Sequence, residues 1–170
     1  NTLMAALEAL FYALSKNPVL RPEGSQRALF LNARAHEDLK LFSTDAIMLQ
    51  QYFKPYVEEF EKTGFAAQPN SPPAAPDYDA AYVLLPKNQI EARYYIAHAL
   101  SCLKPGGLFV AAADNKAGGA RLEKTLEAFA LSNFGVCVKH KARVVWSFTK
   151  GFDHQAVQNA LYKGAEQTIM

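Results

Sequence analysis

Two runs of almost uninterrupted apolar residues limit what this chain can fold into. Asp79-Ala-Ala-Tyr-Val-Leu-Leu85 and Leu108-Phe-Val-Ala-Ala-Ala113 are short, and neither shows the polar alternation of a strand with one wet face. Runs of this kind belong to parallel strands covered on both faces, and two parallel strands need a crossover between them. The intervening residues supply one. Pro86 ends the first run, Asn88 is placed to cap a helix, and Glu91 stands three residues on, as in a capping box. The helical pattern continues to about Leu103. Lys104 is expected in the last turn, where a cation suits the helix dipole, and Pro105-Gly106-Gly107 is expected to turn the chain tightly into the second run.

The flanking segments extend this unit. Residues 2–16 read as an amphipathic helix, with Leu3, Leu7, Leu10, Phe11 and Leu14 on one stripe. Arg27 to Asn32 is expected as the first strand. From Thr44, a good cap, to Lys62 the pattern predicts a helix, which Pro55 must break or kink. Residues 65–68 read as a short strand, and residues 69–76, with four prolines in eight positions, as a connection without regular structure. Gly118-Gly119 is expected to open a helix carrying Leu122, Leu126 and Phe129 on one face. Val136 to Val138 and Arg143 to Thr149 read as an antiparallel hairpin, with Val144, Trp146 and Phe148 on one face, and residues 153–163 as a last short helix. The whole is an α/β fold around an open, mostly parallel sheet with a C-terminal antiparallel hairpin. It forms one domain over residues 1–163, with residues 164–170 loosening into a linker at Gly164.

Composition narrows the function. The net charge is +2 over 170 residues, so nothing commits the whole molecule to nucleic acid. The halves differ: residues 1–85 carry 7 Lys+Arg against 10 Asp+Glu, and residues 86–170 carry 11 against 6. Cys102 and Cys137 each lie in an apolar run, without a partner at metal-ligand spacing, which suits two buried thiols in a reducing cytoplasm. No metal site is expected. No apolar run reaches the ~18 residues of a membrane span, and no membrane partner is expected.

Particular stretches carry a resemblance. Leu84-Leu-Pro-Lys-Asn88, the helix, and Leu103-Lys-Pro-Gly-Gly-Leu-Phe109 resemble the fourth and fifth strands of class I S-adenosylmethionine methyltransferases. Leu85 to Arg93, Asp114-Asn-Lys-Ala-Gly-Gly119 and Lys139-His-Lys-Ala-Arg-Val-Val-Trp146 resemble the N-terminal half of the two-domain ribosomal RNA guanine-N2 methyltransferases. The resemblance runs over about residues 25–150. It implies a Rossmann-like methyltransferase sheet and a C-terminal catalytic domain elsewhere in the same parent chain. That second domain would hold S-adenosylmethionine, and the partners of this one would be that domain and ribosomal RNA.

The residues where such a sheet binds its cofactor point to a degenerate site. The turn after the first strand, Asn32-Ala-Arg-Ala-His-Glu-Asp38, has no glycine to admit a ligand against the backbone. The short strand at residues 65–68 ends in prolines rather than in an acid for ribose hydroxyls. After the fourth strand stands Leu85-Pro86-Lys87-Asn88 rather than the Asn/Asp-Pro-Pro-aromatic of amino methyltransferases; Asn70-Ser-Pro-Pro73 has a similar look but precedes that strand. No catalytic and no cofactor-binding residue is therefore expected in this domain. His36, at the usual ligand edge, is the most interesting histidine. What remains is a basic, anion-binding edge. Lys87, Asn88, Asn115 and Lys116 should share one end of the sheet with the backbone N–H groups at Gly118 and Gly119, and Lys139, Lys141 and Arg143 add charge from the hairpin. The functional reading of this edge is contact with RNA phosphate; solubility and turn geometry account for the same residues without it. A stand-alone interaction or dimerisation module, and an active methyltransferase with an atypical cofactor site, remain as alternatives.

Overall fold

The computed structural model describes residues 4–169, with side chains up to residue 166. It contains one seven-stranded sheet in the order β3-β2-β1-β4-β5-β7-β6. The strands are β1 (Ala28–Leu31), β2 (Ile47–Gln50), β3 (Ala67–Gln68), β4 (Tyr78–Leu84), β5 (Leu103–Asp114), β6 (Gly135–Lys139) and β7 (Ala142–Phe148). Strands β1 to β5 pair in parallel, β7 runs antiparallel to β5, and β6 pairs with β7 at the edge. This is the mostly parallel sheet with a closing hairpin that the apolar runs predict.

Helices cover both faces, which is why β4 and β5 lack alternation. On one face α1 (Met4–Lys16) buries Leu7, Leu10, Phe11 and Leu14 against Phe30, Tyr82, Val110 and Val144. The expected start at residue 2, with Leu3 on the stripe, lies outside the described residues. Each fully buried side chain of this size contributes about 1.5–3 kcal/mol by leaving water. Tyr82 brings a hydroxyl into this core, and the hydroxyl donates to the Leu20 carbonyl at 2.6 Å, so its burial leaves no donor unmet. On the other face lie α3 (Gln89–Cys102) and α4 (Leu122–Glu127), and α5 (His154–Ile169) packs along α3. The Asn88 side chain caps α3 by accepting the Glu91 N–H at 2.9 Å.

Several expectations need correction. The helix foreseen from Thr44 to Lys62 is instead β2, followed by a five-residue α2 (Lys54–Glu58) and a 3₁₀ turn to Lys62. Ile47, Leu49 and Gln50 are buried between β1 and β3, and Pro55 sits in the first turn of α2, where its missing N–H costs nothing. The strand foreseen at residues 65–68 shrinks to Ala67–Gln68. Lys104 is not in the last turn of α3 but in β5, where a bulge opposite Asp79 accommodates residues 104–107 and Lys104 reaches the Asp79 carboxylate at 3.4 Å. Gly118-Gly119 opens no long helix: two 3₁₀ turns precede the six-residue α4. Both faces of β7 are buried at Val144 and Val145, whereas Phe148 is exposed. Cys102 is buried, but Cys137 on the edge strand is only half-buried. Helix α5 does not fade at Gly164 but continues to Ile169; residue 170 lies outside the described residues.

Candidate functional site

In an open α/β sheet, ligands meet the carboxyl ends of the parallel strands. Here the turn after β1 is occupied by the protein's own side chains. Asn32 takes the left-handed conformation, φ 55°, that a glycine would adopt without strain. Its N–H donates to Gln50 Oε1 at 2.9 Å, and its Nδ2 donates to the Leu84 carbonyl at 2.8 Å, tying β1 to the end of β4. Gln51 Nε2 donates to the Ala33 carbonyl at 2.8 Å, and its Oε1 accepts the Phe53 N–H at 2.9 Å. The second strand of the sheet therefore ends in Gln50 and Gln51, not in the prolines that follow residue 68. Neither amide is an acid, and both amide oxygens already accept a backbone N–H.

The side chains beyond the turn are equally committed. Arg34 is buried, forks onto the Glu59 carboxylate at 3.0 and 3.1 Å, and lies 3.5 Å from the Tyr56 ring centroid. His36 accepts the Asp38 N–H through Nδ1 at 3.0 Å. Its Nε2 must then carry the proton, which it gives to Glu8 at 3.0 Å. The ring stacks on Phe11 with centroids 4.4 Å apart. His36 is a capping and packing residue here.

The expected basic edge forms only in part. Asn115 N–H donates to the Lys141 carbonyl at 2.9 Å, which brings the hairpin turn to the end of β5. Lys87, Asn88, Asn115, Lys116 and Lys141 are exposed at this end of the sheet. Asn88 is engaged as the α3 cap. Lys139 turns away, its ammonium 4.0 Å from the Tyr12 ring centroid on α1, and Arg143 pairs with Glu123 at 3.2 Å. Gly118 and Gly119 serve the turn. Gly118 has φ 96°, and a Cβ on buried Gly119 would lie 2.6 Å from the Ala113 carbonyl oxygen. Their place is fixed by close backbone packing, not by an open helix terminus.

The sequence reading missed two concavities flanking the first turns of α3. A cleft of about 310 Å³ is lined by Gln89, Arg93, Asn115, Gly118, Ala120, Arg121 and Thr125, with two guanidinium groups and no carboxylate. A larger one, about 680 Å³, opens beyond the ends of β2 and β3 among Gln50, Tyr52, Asn70, Ser71, Glu91, Tyr94, Tyr95 and His98. Asn70-Ser71, set aside above as a look-alike motif, thus lies in a cavity wall. Burial pushes the Glu91 carboxyl above its ordinary pKa. Among the described residues, no three His, Cys, Asp or Glu side chains gather as metal ligands, and no helix is long and apolar enough to cross a membrane.

Comparison with known proteins places this fold. Among solved structures, a T. thermophilus 16S rRNA N2 methyltransferase, determined with AdoMet and guanosine, superposes with a TM-score of 0.66 at 21% identity. The match covers 86% of this chain and 39% of that one, so the chain spans well under half of that enzyme's length. A Thermotoga maritima SAM-dependent O-methyltransferase gives 0.60 at 10% identity over 88% of this chain and 67% of that one. An Aquifex aeolicus tRNA methyltransferase gives 0.58 at 12% over 86% and 70%. At such identities the likeness is one of fold. A search of curated proteins gives no match. The family model for the N-terminal methyltransferase small domain matches residues 25–136, about two thirds of the sequence, and the chain belongs to that family.

Proposed function

We propose that this chain is the non-catalytic N-terminal domain of an S-adenosylmethionine-dependent ribosomal RNA guanine-N2 methyltransferase, supporting a catalytic domain and contacting the RNA substrate. The observation that carries the reading is the filled ligand end of β1 and β2. Asn32, Gln50 and Gln51 spend their polar atoms on backbone groups at the place where a methyltransferase of this fold grips its cofactor. A ligand entering there would have to displace several buried hydrogen bonds, and leaving such groups unpaired costs about 1–3 kcal/mol each. The share of the T. thermophilus enzyme left uncovered, together with the N-terminal character of the family, supports a further domain as the seat of the cofactor. On this reading the exposed Lys87, Asn115, Lys116 and Lys141 face RNA phosphate.

Calorimetry tests the division of labour. Residues 1–170 should give no heat of S-adenosylmethionine binding tighter than about 100 μM, roughly −5.5 kcal/mol, whereas the full-length parent should bind it. Tight binding by this chain alone would return the domain to the active methyltransferases.

A further inference from the structure

The 680 Å³ cavity has a different chemistry from the basic edge. Its volume lies within the range of about 300–1,000 Å³ common to small-ligand sites. No lysine or arginine lines it, so it offers no cation to a phosphate. It offers instead aromatic faces with polar groups between them. Tyr52 is 63% exposed, and Tyr94, also in the lining, is half-buried. Tyr95 is only 6% exposed and also lines the cavity. Its hydroxyl lies near the other polar groups of the cavity: burial raises the Tyr95 pKa most, and Glu91, Tyr52 and Tyr94 raise it further. A hydroxyl on a largely buried ring that lines a cavity can both donate to and accept from a ligand atom. Glu91, Asn70 and Ser71 also line the cavity and bring groups able to meet N–H and C=O groups.

The cavity and the arginine cleft lie on opposite sides of the same helix start. Gln89 and Arg93 are one turn apart on one side of α3, and Glu91, Tyr94, Tyr95 and His98 follow the other. A stacking surface and a pair of guanidinium groups separated by the width of a helix match the base and the backbone of a single strand.

We propose that this cavity receives an unpaired RNA nucleobase, stacked on Tyr52 and hydrogen-bonded to the Tyr95 hydroxyl, while Arg93 and Arg121 hold an adjoining phosphate. The proposal rests on the RNA binding put forward under Proposed function and names the part of the RNA that is read.

The test uses the chain as it is, titrated with a single-stranded oligoribonucleotide of about 12 nucleotides containing 2-aminopurine, and with the same strand annealed to its complement. The single strand should bind and its fluorescence should be quenched, with weaker binding of the duplex. Tyr52→Ala should weaken the single-strand complex on the order of tenfold and relieve the quenching. Tyr95→Phe, which keeps the ring and removes only the O–H, should weaken it a few-fold. Neither should alter the dependence of affinity on salt. Arg93→Ala with Arg121→Ala should flatten that dependence by about 0.7 for each phosphate no longer neutralised. Quenching and affinity unchanged in both tyrosine variants would overturn the base site while leaving RNA binding intact. Equal binding of duplex and single strand would overturn it as well. Adenosine or S-adenosylmethionine bound alone, and released in Tyr95→Phe, would make the cavity a small-molecule site and overturn the RNA assignment. No RNA binding by the unaltered chain would remove both the proposal and the RNA binding beneath it.

Discussion

The imidazole of His98 sits where protonation works against the fold. It is buried on α3, its Nε2 lies 2.8 Å from the Pro72 carbonyl, and the ring stacks with Tyr94. A carbonyl can only accept, so Nε2 carries a proton and the neutral ring already satisfies the contact. Burial pushes the pKa down, and the bond to Pro72 opposes this in part. The folded pKa therefore lies below the unfolded value of about 6.5. As pH falls the unfolded chain takes up the proton first, so the stability due to neutral His98 is complete above about 6.5 and is lost as pH drops through the folded pKa. The raised carboxyls of Glu91 and Asp114 act the other way, gaining relative stability as they protonate in acid. A comparison with His98→Gln cancels them. Urea unfolding at about pH 7.5 and about pH 5.5 should show the unaltered chain losing more stability than the variant. The same loss in both would mean that His98 does not report the fold's pH dependence.

At the scale of elements, the sequence discloses those whose pattern is local and conceals those whose identity depends on neighbours. Strands β4 and β5 and the capped helix α3 are legible because an apolar run, a proline and an Asn cap each specify their own backbone. Strand β2 is not: Ile47-Met-Leu-Gln50 is four residues, short enough to read as part of a helix, and only pairing with β1 and β3 makes it a strand. The glycine-free turn after β1 is legible from residue type alone, whereas the end of the strand beside it, at Gln50, is not. Nor is the cavity beside α3, because residues 52, 70, 91 and 95 meet only once β2, the proline-rich connection and α3 are placed. The length of α5 is hidden by Gly164, which reads as a helix breaker. Its actual reason is steric: a Cβ there would fall 2.3 Å from the Tyr94 ring. An exposed helical Gly→Ala change stabilises by about 1 kcal/mol. Gly164→Ala is expected instead to destabilise by about 1–3 kcal/mol, as overpacking does. Combining it with Tyr94→Ala should restore part of that stability. Denaturant unfolding reads the sign, and a stabilised single variant would mean that α5 does not seat on α3.

For the whole molecule, the question is what the surface of the domain meets. Its core is covered on both faces of the sheet. Its surface is less finished. The edge strand β6 exposes Val138 at 60% and, among the described residues, leaves one side of its backbone without a sheet neighbour, and Tyr162 on α5 is 67% exposed. Apolar groups and an open edge of this kind are what a neighbouring domain covers. Interfaces within a chain commonly bury about 600–1,500 Å². At about 25 cal/mol per Å² of apolar area, even the smaller figure contributes several kcal/mol before ordering costs are subtracted. If the domain is retained as a scaffold, the catalytic half expressed without residues 1–170 should melt at a lower temperature and give less soluble protein than the full-length parent. Co-expression of residues 1–170 as a separate chain should recover part of both, since a pre-folded partner stabilises the native state by mass action. Val138→Lys in the added chain should weaken that recovery if β6 is the covered edge, and Tyr162→Lys should do so if α5 is. Equal melting temperature and yield for the catalytic half, with and without this domain, would remove the scaffold role and leave only the proposed RNA contact.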